Sequence, residues 1–407
     1  MPHRPTPLQG IRVLDLSRVL AGPWAAQLLA DYGADVIKVE RPGSGDDTRA
    51  WGPPWWGDPA ERMSAYYLCA NRGKRSIAID IASDEGREQV RALAREADVL
   101  IENYKVGQLA RYGLDAATLR AVNPQLVYCS ITGFGQTGPD AQRAGYDFAI
   151  QAAGGLMSIT GEAQATKGSE PQKVGVAVVD VMSGVYAVTA ILAALHERHR
   201  TGTGSHIDLA LLDVQVAMLA NQASNHLVGG VTPRRLGNAH PNIVPYQVFA
   251  TRDGHIVLAV GNDAQFAKFC ELTGHAGLAR DARFATNAAR VAHRTELVPL
   301  LAGWMLVRDT AEWAALLDAR DVPCAPILDI AQVFQTPQVQ ARGLCASLPS
   351  SAGSNMPMVP APVLFDGVRA MSAQLPPEVD EHGAMLRASL NTKPGWPAPD
   401  PGHGDAS

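Results

Sequence analysis

Val13-Leu-Asp-Leu-Ser17, then Gly22 to Tyr32, then Asp35-Val-Ile-Lys-Val-Glu40 decide the fold class. The first and third runs are short, apolar and bounded by turn residues, as strands are. The middle run has the length of a helix and carries Pro23 in its first turn, where a missing N–H costs little. The alternation repeats downstream. Arg75-Ser-Ile-Ala-Ile-Asp-Ile81, Asp98-Val-Leu-Ile-Glu102 and Leu126-Val-Tyr-Cys-Ser-Ile131 read as further strands. Between them Ser83 is placed to cap a helix, with Asp84 and Glu85 in its first turn and Arg91 and Arg95 near its end, which suits the macrodipole. Strands separated by helices predict βαβ units and a Rossmann-like, mainly parallel sheet covered on both faces, with ligands beyond the carboxyl ends of the strands.

The pattern changes after about Gly229. Tyr246-Gln-Val-Phe-Ala-Thr251 and His255-Ile-Val-Leu-Ala-Val260 flank Arg-Asp-Gly and predict a β-hairpin. Helical segments follow, around Asp263–Thr273 and Thr310–Ala319. The expected organisation is an α/β large domain over 1–228, a smaller α+β domain over 229–330, a return to the large domain over 331–390, and a Pro- and Gly-rich disordered tail over 391–407.

Composition narrows the function classes. Hydrophobic residues are 46% of the 407, ample for a buried core. Thirty-five Lys plus Arg against 40 Asp plus Glu give a formal net charge of -5, a poor basis for nonspecific nucleic-acid binding. The five cysteines are odd in number and form no CxxC, so a disulfide framework and a zinc site are not expected and a reducing, cytoplasmic setting fits. Met1 to Pro7 contain no apolar leader region, so no secretory signal is expected. Val174–Leu195 is long enough to span a bilayer, but Asp180 and Ser183 interrupt it and a soluble core explains it equally, so no membrane span is predicted.

Several motifs have ordinary readings. Gly133-Phe-Gly-Gln-Thr-Gly138 matches GxGxxG, but Pro139 and Asp140 follow where a dinucleotide fingerprint opens a helix. The stretch reads instead as a glycine loop approaching a ligand or turning sharply. No Walker A sequence or GxSxG is present. His196 and His199 lie in a basic helix end rather than a metal site.

Asp180 is the unusual residue. It interrupts Val174-Gly-Val-Ala-Val-Val-Asp180-Val-Met-Ser-Gly184, between a predicted β-branched strand and a long apolar helix. One reading is an N-cap; the other is a shielded carboxylate acting as a covalent nucleophile. Tyr146 and Asp147 read as another helix start. Arg41, Arg49, Arg72 and Lys74 near strand ends, with Arg111 and Arg143, are surface charges singly but together suit a phosphate or carboxylate pocket.

At these residues the chain resembles CoA-transferase family III (CaiB/BaiF type), which includes α-methylacyl-CoA racemase. The resemblance runs through Pro7-Leu-Gln-Gly-Ile-Arg-Val-Leu-Asp-Leu-Ser17, Ala21-Gly-Pro23, Gly33–Glu40, Gly43-Ser-Gly-Asp46, Asn71–Ser76, Glu102-Asn103, Gly133–Pro139, Gly145-Tyr-Asp147, Val179-Asp180, Thr201–Gly204 and Pro323-Cys-Ala-Pro326. It implies that Asp180 attacks a donor thioester to form an aspartyl anhydride, then an aspartyl-CoA thioester that an acceptor carboxylate resolves. It implies CoA contacts at Val19, Ala21, Arg41, Ile79, Asn103 and Arg111. It implies a loosely matched glycine loop at Gly237-Asn-Ala-His240, no permanently bound cofactor, and an interlocked homodimer. In such a dimer the active sites lie between the large domain of one chain and the small domain of the other. The racemase branch has a His where this chain has Tyr146, and a phenol of reference pKa about 10 is a poor base at neutral pH. Transfer is therefore the expectation, with a 2-methylacyl-CoA racemase or a noncatalytic CoA-ester binding protein as alternatives.

Within the family the resemblance is greatest to the succinyl-CoA:glutarate (hydroxymethylglutarate) type, through Gly45–Arg49, Trp51-Gly-Pro-Pro54, Arg143–Asp147, Gly154–Met157 and Ile243–Gln247. A dicarboxylate needs a cation for its distal carboxylate, and Arg49 and Arg143 are the candidates. Tyr146 and Asp147 complete the expected acid site. One departure is Val379-Asp-Glu-His-Gly383, where the family has Leu-Gly-Glu-His-Thr.

Overall fold

The computed structural model describes residues 6–58, 62–350, 353–392 and 395–398. The chain divides into two compact units, one of residues 1–156, 174–224 and 338–407, the other of 157–173 and 225–337. The sequence boundaries did not assign 157–173 to the second unit, because that segment carries no periodic pattern.

The first unit is built on six parallel strands: β1 (Arg12–Asp15), β2 (Asp35–Glu40), β3 (Lys74–Ala78), β4 (Val99–Glu102), β5 (Val127–Thr132) and β6 (His206–Ala210). Their order in the sheet is β3-β2-β1-β4-β5-β6. The connection reverses direction between β1 and β4, the switch point where open α/β sheets form a ligand crevice. Five of the predicted strands match these to within a few residues. The sixth, His206–Ala210, alternates polar and apolar residues at the sheet edge and was not anticipated.

Helices cover both faces. On one side α1 (Ala21–Asp31) packs with Val13, Val99, Val127 and Ile191. On the other, α2 (Asp84–Glu96) sets Val90, Leu93 and Ala94 against Leu14, Ile37 and Leu100. Ser83 caps α2 as expected, its hydroxyl accepting the Gly86 N–H at 2.9 Å. Two further helices carry the residues of interest, α3 (Asp147–Ala153) and α4 (Val178–Thr201). By length and composition α4 is long and apolar enough to cross a membrane, a test that the core helix of a soluble protein also passes. Here it turns Asp180, Ser183, Gly184, Ala187, Val188 and Ile191 inward at helical spacing. Residues 174–177 form no strand, contrary to expectation; the Val174 N–H donates to the Gln151 side chain at 2.9 Å.

The second unit contains an antiparallel sheet of Tyr246–Ala250, His255–Ala259 and Cys324–Pro326, with the predicted hairpin as its first two strands. Phe249, Leu258, Phe266, Phe269 and Trp313 fill its core.

Two C-terminal features differ from expectation. Of the expected tail, 391 and 392 end a helix, and 395–398 pack: the Trp396 indole donates to Asp35 at 2.8 Å, and Arg75 donates to the carbonyls of Pro397 and Ala398 at 3.0 and 3.1 Å. The rest of that tail, 393–394 and 399–407, lies outside the described residues. The departure at 379–383 is a paired exchange. Asp380 sits at φ 59 and its carboxylate accepts the Ala78 N–H at 2.8 Å, so it docks on β3. A Cβ at Gly383 would overlap that carboxylate, so the acid at 380 requires the glycine at 383.

Gly184 lets α4 approach α1. A Cβ there would stand 2.8 Å from the Ala21 carbonyl oxygen and 2.9 Å from the Trp24 ring. Replacing a mid-helix glycine by alanine ordinarily stabilises by about 1 kcal/mol. Gly184→Ala is expected to reverse that sign and destabilise by about 1–3 kcal/mol, read from urea unfolding.

Candidate active site

Asp180 occupies the first turn of α4 and is only 9% exposed. It is not the N-cap; Ala177 holds that position and caps nothing with its side chain. The capping duty passes to Asp147, at the start of α3. Its Oδ1 accepts the Val179 N–H at 2.8 Å, and its Oδ2 accepts from Gln151 at 2.6 Å. Gln151 in turn receives the Val174 N–H, so one acid and one amide fix the entry into α4. Asp180 gains no such support. Burial, with the neighbouring charge of Asp147, pushes its carboxyl up to about 7. A carboxylate near a helix N-terminus is ordinarily favoured. Burial and the Asp147 charge both act against that preference here.

Asp180 opens onto a cavity of about 210 Å³ at the switch point. Val19, Ala21, Asn103, Arg143 and Tyr146 line it, so five residues singled out from the sequence converge with the carboxylate. Tyr146 is 66% exposed. Arg143 lies over the Phe134 ring with its guanidinium 4.6 Å from the centroid, and among the described residues its ion pair is with half-buried Asp140 at 2.9 Å. A second cavity of about 230 Å³ lies beyond the ends of β2 and β3, where Arg41 and Ile79 line it. The two cavities share Arg18, Tyr104 and Gln108. Arg111 lies in the 3₁₀ turn Leu109–Tyr112, whose Tyr112 lines the second cavity, but Arg111 itself does not.

Arg49 is a correction. It donates to both oxygens of Glu40 at 2.7 and 2.8 Å, to Tyr67 and to the Pro377 carbonyl, and its guanidinium stacks 3.8 Å from the Tyr67 ring centre. A guanidinium so engaged is part of the fold and lines neither cavity. Gly237 belongs to the second unit, at φ 63, and lines a separate cavity there with Gly161, Thr166 and Asn238. Arg72 and Lys74 are likewise buried, on Asp31 and Asp15.

Sequence reasoning missed Arg18, Tyr104, Gln108 and Tyr66. The first three follow β1 and β4 directly, so the rule that ligands sit beyond strand ends pointed to them. Tyr66 had no local signal. It is close enough to Asp180 for that charge, after burial, to help raise its phenol to about 12. Glu102, at the end of β4, is also pushed up to about 7 by burial, though it accepts the Tyr104 N–H at 2.8 Å. Among the described residues, no group of three or more His, Cys, Asp or Glu is placed to hold a metal ion.

Residues 8–383 match the model of CoA-transferase family III. The chain belongs to that family. It is 51% identical over 394 residues to a succinate–glutarate CoA-transferase of Agrobacterium fabrum, covering 96% of this chain and 98% of the relative. It is 43% identical over 377 residues to the human succinyl-CoA:glutarate CoA-transferase, covering 92% and 84%. A crystal structure of a CaiB/BaiF family protein from Brucella suis superposes with a TM-score of 0.82 at 51% identity, over 95% of this chain and all of that one. The chain is a CoA-transferase, and CoA thioesters are its substrates.

The raised carboxyl of Asp180 gives the family III enzyme a pH signature. Were Asp180 the nucleophile it would have to be ionised, and kcat/KM for the thioester would fall about tenfold per pH unit below a limb near 7. Asp147→Asn keeps an oxygen for the Val179 N–H but removes the repelling charge, and the limb should move to lower pH. A limb that stays in place in that variant would mean Asp147 acts on Asp180 only through geometry.

Proposed function

We propose that this enzyme moves CoA from succinyl-CoA to a second dicarboxylate, such as glutarate or hydroxymethylglutarate, with Asp180 as the covalent carrier. The observation that carries this reading is one cavity holding a shielded carboxylate together with the Arg143 guanidinium. A carboxylate oxygen of Asp180 attacks the thioester carbonyl, the C–S bond breaks, and an aspartyl succinyl anhydride forms as CoA leaves as thiolate. The thiolate attacks the Asp180 carbonyl carbon; succinate leaves and an aspartyl-CoA thioester remains. The acceptor carboxylate attacks that thioester, thiolate leaves again and then takes the acceptor's acyl carbon, freeing Asp180. No net proton is consumed. Each step exchanges one leaving group for a similar one, which suits a carboxylate that is both nucleophile and leaving group.

In this reading Arg143 pairs with the distal carboxylate, and the second cavity takes the nucleotide end of CoA with Arg41 at its wall and Arg111 nearby. Tyr146 faces the acyl group, and the Gly237 loop of a partner chain closes the site in an interlocked homodimer. The exposed apolar residues Val185, Tyr186 and Leu192 on α4 support an assembled form. All five cysteines are free, which supports a cytoplasmic setting. The racemase alternative is disfavoured because, among the described residues, no histidine lines the Asp180 cavity.

Purified enzyme supplied with succinyl-CoA and a panel of dicarboxylic acids tests this, with new CoA esters read by chromatography and mass detection. A dicarboxyl-CoA product names the acceptor. Intact succinyl-CoA with every acid would sink the donor assignment. Asp180→Ala is expected to abolish transfer with the fold retained and thermal stability undiminished, since it removes the carrier and a charge that burial disfavours, and no apolar core group. Arg143→Gln is expected to raise KM for the acceptor by roughly tenfold or more, the loss of one charge-assisted pair.

A further inference from the structure

Val19 stands at φ 72 on the cavity wall, the one β-branched side chain among the described non-glycine residues at positive φ. That region is disfavoured for a branched residue and persists only where the surroundings hold it. Two side chains do so. Asn103, just past β4, clamps the preceding residue from both sides: its Oδ1 accepts the Arg18 N–H at 2.9 Å, and its Nδ2 donates to the Arg18 carbonyl at 2.6 Å. Asp46 accepts the Val19 N–H at 3.3 Å, and is itself fixed by Lys38 at 3.0 Å and by the Thr48 hydroxyl at 2.8 Å. The turn so held passes directly into α1, and Arg18, Val19 and Leu20 of the turn, with Ala21 at the start of α1, line the Asp180 cavity.

We infer that Asn103 is a positioning residue, which supports CoA binding by holding Val19 in the left-handed conformation rather than by contacting CoA. Its carbonyl oxygen and amide are both engaged by the Arg18 backbone, where the family resemblance implied a ligand contact. Without the clamp, valine relaxes toward extended backbone, and Arg18, which lines both cavities, moves with it. The inference rests on the CoA reading of these cavities.

A double-mutant cycle on the full chain tests it, with CoA affinity by calorimetry and kcat and KM for succinyl-CoA. Asn103→Ala is expected to weaken CoA binding and raise KM by roughly 10- to 100-fold, on the scale of one strained residue released, with kcat less affected. Glycine adopts positive φ without a steric penalty. Asn103→Ala should therefore cost little when added to Val19→Gly, compared with its cost when Val19 is intact. Should Asn103→Ala fold poorly, Asn103→Asp keeps the acceptor for the Arg18 N–H, loses the donor to its carbonyl, and should show a smaller loss with the same dependence on Val19. If Asn103→Ala costs as much in the Val19→Gly background as it does with Val19 intact, the inference is overturned and Asn103 returns to direct contact. Absence of CoA binding by the unaltered chain would overturn the CoA reading and this inference together.

Discussion

Two lysines buried without access to water, Lys38 and Lys74, are the constraint on which the site depends. Unpaired, either would cost several kcal/mol. Lys74 donates to Asp15 at 2.9 Å, Asn71 at 3.0 Å and the Pro23 carbonyl at 3.0 Å. Lys38 pairs with Asp46 at 3.0 Å and donates to the Ser17 carbonyl at 2.9 Å. Burial would raise both acids, yet the lysines hold Asp15 below its usual range and Asp46 at about 2. Burial also brings Lys74 down to about 8, so its charge is retained only because Asp15 faces it. The geometric consequence exceeds the energetic one. Ser17 and Pro23 bracket the turn between β1 and α1, and Asp46 braces its middle. A charge cluster inside the sheet thereby shapes the wall of the cavity that Asp180 faces.

The same logic separates the two acids at the head of α4. Asp147 accepts two hydrogen bonds and so is fixed as structure. Asp180, one residue along from the amide that Asp147 caps, is buried without such hydrogen bonds, and its carboxyl is pushed up to about 7. Neighbouring carboxylates thus take different duties from their partners, not from their type. Arg49 and Arg143 repeat the point among cations. Glu40, Tyr67 and the Pro377 carbonyl hold the first in the fold, while the second, paired with Asp140, lines the cavity that Asp180 faces.

What was legible in the sequence follows from this. Alternating strands and helices have a local cause, the periodicity of apolar side chains, and five of six sheet strands were readable. His206–Ala210 was not, because an edge strand needs no continuous apolar run. Val174–Val179 was misread as a strand, because β-branched content mimics one when its partner is missing from view. Of the site, Asp180, Tyr146, Arg143, Val19, Ala21 and Asn103 were picked out and do meet at one cavity. Arg49 was picked and does not belong, since nothing local reveals that Glu40, nine residues earlier, reaches it. Tyr66 and the clamp from Asn103 to Arg18 were invisible for the converse reason: both arise only when distant segments fold together.

The glycine-rich run at 133–138 shows how a motif can matter without its familiar use. It does not open a helix, and no phosphate fingerprint is formed. Instead Gly133 lies against Gly145, where a Cβ on either would stand within 2.7 Å of the other's Cα. Only two facing glycines permit that backbone contact. It brings the residues just after Gly145 to the carboxyl end of β5, and those residues are Tyr146, on the cavity wall, and Asp147, the cap of α4. Side chains at either glycine would move Asp147 off the Val179 amide, and with it the first turn that carries Asp180. The loop's contribution is therefore to place an acid that in turn places Asp180.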